Sequence, residues 1–151
     1  MSHVADVDVK LLDLDDVEAA IKPYGGTLIR GKKTHRWYGR FENDWQDQRA
    51  AVNRRDPATF GKCDHAISFP GINYEIGLCR NADGSYTPVY DSYGNYSTHD
   101  GQKLEQLLGV GLTKLVDEYG CAVTLRMMAM EGFLAERVVD ANGDILAVCT
   151  R

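Results

Sequence analysis

A chain of 151 residues, 44% hydrophobic and 26% charged, is long enough to close one core without metal or disulfide staples, and its ordinary globular balance means that disorder is not the default expectation. Its 17 basic residues against 22 acidic ones give a formal charge of −5, the opposite of the basic excess that a free-standing nucleic-acid binder carries. No stretch approaches the ~20 apolar residues of a membrane-spanning helix, so no membrane partner is expected. The first residues show no basic-then-apolar secretory pattern, and four cysteines without a CxxC pair predict free thiols in a reducing, cytoplasmic setting.

Residues His3 to Leu11 alternate, with Ala5, Val7, Val9 and Leu11 on one side, and predict a half-buried strand. Asp13 or Asp15 is placed to cap a helix whose stripe is Leu14, Val17, Ala20, Ile21 and Tyr24, stopped by Pro23-Tyr24-Gly25-Gly26. A second strand starts at Thr27-Leu28-Ile29-Arg30. Residues 42–62 are polar and bounded by Pro and Gly, and predict a long loop or insertion, with one short helix near 44–53.

Strands dominate next. His65 to Phe69 alternates, Pro70-Gly71 permits a bend, and Ile72, Tyr74, Ile76 and Leu78 share one face opposite Asn73, Glu75 and Cys79. Asn81-Ala82-Asp83-Gly84-Ser85 is a hairpin turn, and Tyr86 to Tyr93 returns, with Pro88 suggesting an edge strand or a bulge. From about Gln102 to Met130 the residues Leu104, Leu108, Leu112, Leu115, Val116, Tyr119, Val123, Met127 and Met130 lie at helical spacing. Gly109, Gly111 and Gly120 inside that run are places for a break or kink. Phe133 to Val139 and Ile145 to Thr150, around Asn142-Gly143, make a closing hairpin. The order β-α-β-(loop)-β-β-α-β-β predicts one α+β domain over residues 1–151, a mostly antiparallel sheet with two helices on one face.

The opening Met-Ser-His, the Leu14-Asp15-Asp16-Val17 helix, the Ile72-Asn73-Tyr74-Glu75-Ile76-Gly77 strand with its hairpin, Leu115-Val116-Asp117-Glu118-Tyr119, Glu131-Gly132-Phe133 and the terminal hairpin form a pattern. It resembles the small open-reading-frame proteins of unknown function from algal plastids and cyanobacteria, and their relatives in tailed bacteriophages. The chain departs from the plastid members over residues 30–66, which are longer and more basic. There, with Cys63-Asp64-His65-Ala66, it is nearer the phage type. The resemblance implies a fold and a cytoplasmic or stromal setting, and no reaction.

Two constellations carry chemistry. Arg30, Lys32, Lys33, Arg36 and Arg40 lie together with His35, Trp37 and Tyr38. Cations of this kind neutralise phosphates or other anions while aromatic rings stack. Tyr93 and Tyr96, in the loop after the tyrosine-rich hairpin, would add contact area. The plainer account is a solvated strand whose aromatic residues enter the core. Cys63 and His65 would share a face of a regular strand, and with Cys79 and His35 or His99 would offer zinc its N/S ligands. The same pair, with Asp91 nearby, would serve as thiol and base, although residues i and i+2 on a strand are too far apart for direct contact. The plainer account is a buried thiol and a hydrogen-bonded strand histidine. Gly109-Val110-Gly111 meets no phosphate-binding fingerprint and points to close packing. The leading expectation is therefore a binding or regulatory module, without a cofactor, for an anionic small molecule, a nucleic acid or a host protein. The alternatives are a metal- or thiol-dependent enzyme centred on Cys63 and His65, and a self-assembling protein pairing as a homodimer through edge strands near Pro88 and in the closing hairpin.

Overall fold

The period-two apolar run Ile72, Tyr74, Ile76, Leu78 builds the central strand of the molecule, β4 (Ile72–Arg80). The computed structural model describes residues 4–37, 59–92 and 100–150. On one side of β4 lie β3 (His65–Phe69) and then β2 (Thr27–Arg30); on the other lie β5 (Tyr86–Asp91) and then β1 (Val4–Asp6). Every neighbouring pair in this five-stranded sheet is antiparallel. The turns between them are those the sequence announces. Asp83 Oδ1 accepts from the Ser85 N–H at 2.9 Å, and the Asn81 N–H donates to the Ser85 carbonyl at 2.7 Å.

Helices cover one face. Asp13 is the cap of α1 (Leu14–Ile21), its side chain accepting from the Asp15 N–H at 2.8 Å, which satisfies a donor that the first turn leaves without a helical partner. The expected long helix is two: α2 (Asp100–Leu108) and α3 (Thr113–Met130), joined by a 3₁₀ turn at Val110–Leu112. Gly109 and Gly111 take φ of 84° and 69°, values that side chains with a Cβ resist, so the break falls there while Gly120 stays helical. Val17 and Ile21 of α1, Leu104 and Leu108 of α2, and Leu112 and Leu115 pack on Leu28, Ile67, Phe69, Ile76 and Leu78 of the sheet. Each such side chain contributes about 1.5–3 kcal/mol by leaving water.

The first strand is shorter than its alternation suggests, and Pro88 is the reason. β5 is interior, between β4 and β1, so Pro88 does not mark an edge. The Val7 N–H donates to the Pro88 carbonyl at 2.8 Å, but Pro88 has no N–H to return. The Val7 carbonyl accepts instead from the Val9 N–H at 2.8 Å. The chain kinks there, and pairing resumes as a single bridge between Leu11 and Tyr86.

The closing hairpin, β6 (Leu134–Val139) and β7 (Ile145–Thr150), does not join the main sheet; it is a separate two-stranded sheet resting on α3. The helical stripe changes character on the way to it. Leu115 is buried, while Met127 and Met130 are exposed. The end of α3 has left the sheet behind.

Candidate functional site

The second face of the sheet is the first surprise, because the alternation of β4 marks Glu75 and Cys79 as the outward side. Glu75 is wholly buried, as are Ala66 and Val89 on the strands beside it and Asp91 at the end of β5. The cover comes from residues 31–37 and 59–63, which pair with each other. The His35 N–H donates to the Gly61 carbonyl and the Cys63 N–H to the Lys33 carbonyl, each at 2.9 Å. Phe60 meets Trp37 edge-on, ring centroids 5.4 Å apart. His35, buried, lies directly over Gly77.

This layer decides the state of the basic segment. Lys32 Nζ donates to both oxygens of Glu75, at 2.6 and 2.8 Å. The Arg36 backbone N–H donates to Glu75 Oε1 at 2.9 Å, and its guanidinium donates to the Asn73 carbonyl and stands 3.8 Å from Glu75 Oε2. Arg30 pairs with Asp15 at 2.7 Å and Glu18 at 3.3 Å, and Lys33 with Asp64 at 3.6 Å. Burying a carboxylate demands such compensation. Lys32 and Arg36 are thus committed to an internal anion, and Trp37 packs on Phe60. Arg40, Tyr93 and Tyr96 lie outside the described residues, as do Tyr38 and His99.

Cys63 and His65 do not come together. The expectation of one shared face assumes a regular strand from Cys63 onward, and β3 begins only at His65, after a bend at Asp64. Cys63 packs towards Gly77 on the second face. His65 turns to the helix side, its ring 5.2 Å from that of Tyr86, and its Nδ1 accepts from the Gly31 N–H at 2.9 Å. Burial lowers the pKa of that imidazole, in keeping with a neutral ring. The Cys63 thiol donates to the Lys32 carbonyl at 3.2 Å, and burial pushes its pKa up to about 12. A nucleophile needs the thiolate. Cys79, which shares the second face with Cys63, donates to the Lys62 carbonyl at 3.4 Å. Among the described residues no three His, Cys, Asp or Glu side chains are grouped to hold a metal ion.

A second surface includes the closing hairpin, which the sequence marks as an edge for self-pairing but without the ion pair and cleft at its base. Glu118 of α3 is buried, and Arg137 of β6 reaches it through two hydrogen bonds, Nε to Oε1 at 2.7 Å and Nη2 to Oε2 at 2.6 Å. This pairing fixes which face of the hairpin meets α3. A cleft of about 130 Å³ opens beside it, lined by Ala19 of α1, Cys121, Ala122 and Leu125 of α3, and the Glu118–Arg137 pair. Around the hairpin, apolar side chains are left in water: Phe133 at 53% and Leu134 at 69% exposure, with Val139, Leu146, Val148 and, from α3, Met127 and Met130. The signal was present in part. Glu118 lies three residues from Leu115 and three from Cys121, a carboxylate at core spacing on a helix.

Comparison of the chain with protein-family models, curated proteins and solved structures finds no match. The site therefore rests on its own geometry. No helix of the described residues is long and apolar enough to cross a membrane.

Proposed function

We propose that this chain is a binding module whose partner is a protein, engaged by the closing hairpin and the last turns of α3. The observation that carries the reading is the exposed apolar surface of Phe133, Leu134, Leu146, Val148 and Met130. Scattered apolar residues on a surface are ordinary, but several gathered on one hairpin and the helix end before it mark a contact region. An anionic small molecule or a nucleic acid would need cations free to meet it. Arg30, Lys32, Lys33 and Arg36 are each paired with carboxylates, and the net charge of −5 repels phosphate. The four cysteines are free, which suits the reducing cytoplasm.

The test is site-specific photo-crosslinking. A photoreactive residue at Leu134 is expected to give a discrete adduct with a protein chain, foreign or identical, in cells that make this protein. The same residue at Thr27, exposed on the far strand β2, is expected to give none. No protein adduct at Leu134, or equal adducts at both places, would overturn the reading.

A further inference from the structure

Sheet edges invite foreign strands, and proteins blunt them with charge, proline, bulges or shortness. The main sheet obeys. β1 has three residues and carries Asp6 and then Asp8; β2 ends in Arg30, followed by Gly31-Lys32-Lys33. β7 does not obey. Its residues Ile145-Leu146-Ala147-Val148-Cys149-Thr150 include no charge, proline or glycine, and their pairing with β6 runs without a bulge. Among the described residues no third strand covers its outer edge. A lone hairpin is marginal in water, and only its α3 side is supported here.

We propose that β7 pairs antiparallel with β7 of a second copy, so that two hairpins form one four-stranded sheet. This rests on the hairpin being the binding surface. A two-fold axis normal to the sheet keeps every side chain on its own face. Leu134, Val138, Leu146 and Val148, which share a face by register, then make one apolar strip with their mates. Glu136 lies on that face but on β6, so the two copies of it stand three strand spacings apart, ~14 Å, and do not clash. What the seam covers is the open edge of β7, with its row of N–H and C=O groups, together with the flanks of Leu146 and Val148, which meet their mates across it; Val139 stands on the opposite face, with Arg137.

Sedimentation equilibrium of the purified, reduced chain between ~1 and ~100 µM tests this, with a dissociation constant on the order of micromolar expected. Leu146→Lys combined with Val148→Lys is expected to weaken the dimer by ~100-fold or more, as charged edges do. Ile29→Lys, on the β2 edge, is expected to leave it intact. A parent that stays monomeric, a dimer indifferent to the β7 lysines, or one dissolved by Ile29→Lys overturns the proposal. Should the double variant lose its circular dichroism, amide exchange on the parent decides. Protection of β7 amides that rises with concentration supports pairing, and protection that does not rise overturns it. A monomer that still crosslinks a foreign protein from Leu134 overturns only the second copy; a monomer with no adduct overturns the protein-binding reading as well.

Discussion

Arg137 grips the buried carboxylate of Glu118 with Nε and Nη2, at 2.7 and 2.6 Å, and through this contact β6 is attached to α3. The Glu118 carboxylate holds the guanidinium in its charged form, raising its pKa above the ordinary value. Arg137→Leu would leave Glu118 buried without its cation. The expected cost is about 3 kcal/mol, as for other buried pairs broken on one side, seen as a lower urea midpoint. The double variant Glu118→Leu with Arg137→Leu is expected to recover most of that loss. A double variant as weak as the single one would show that the pair's charge is not what matters.

Lys32→Met strands Glu75 in the same way on the second face, with a cost of about 2–4 kcal/mol, because Glu75 is wholly buried and Lys32 meets both its oxygens. An anion-binding lysine on a solvated strand would be replaced at little cost. Equilibrium urea unfolding separates the two: a midpoint equal to the parent's would return Lys32 to the pool of free cations.

Gly77→Ala places a methyl group 2.6 Å from His35 Cδ2 and 3.0 Å from both Cys63 Cβ and Val89 Cγ2. The neighbours come from three segments and cannot all retreat. Overpacking of this kind costs about 1–3 kcal/mol. Thermal melting reads it, and an unshifted midpoint would mean that the covering segment is loose.

Cys63 and Tyr90 are both raised to about 12 by burial. In the unfolded chain a thiol titrates near 8.5 and a phenol near 10. The folded protein therefore holds protons that the unfolded chain releases, and stability falls with rising pH. The contribution is complete below pH ~8.5 and is lost as pH rises through about 12. Cys63→Ala is expected to flatten the first part of that decline. At pH 8 a thiol reagent is expected to modify exposed Cys149 rapidly and buried Cys63 slowly. Equal rates would contradict the burial of Cys63.

The elements were legible where the signal is local. Asp83-Gly84 and Asn142-Gly143 name their turns, and Tyr74, Ile76 and Leu78 name the helix-facing side of β4, because period two needs only neighbours in sequence. The second face was not legible. Glu75 reads as solvent-facing until Lys32, 43 residues away, is known to lie over it. The Cys63–His65 pair misleads because a bend at Asp64 reverses a face and leaves no mark in composition. The break at Gly109 and Gly111 was visible as three glycines, but only packing distinguishes these two from Gly120. Nothing in the alternation of Leu134–Val139 says which sheet it joins. That is settled by Arg137 meeting Glu118, a contact between two residues whose types suggest the surface.

Pro88 has a consequence for how the chain finds its ends. A carbonyl laid opposite it from the β1 side meets a ring and no donor, so an arriving strand must bend away at that one place. The Val7–Val9 turn is that bend. A copy of the amino-terminal segment displaced by two residues would bring its kink to the wrong place and strand a carbonyl in a dry interior. The proline thus works as a keyed lock, admitting the amino terminus in a single seating and turning away any straight strand offered in its stead.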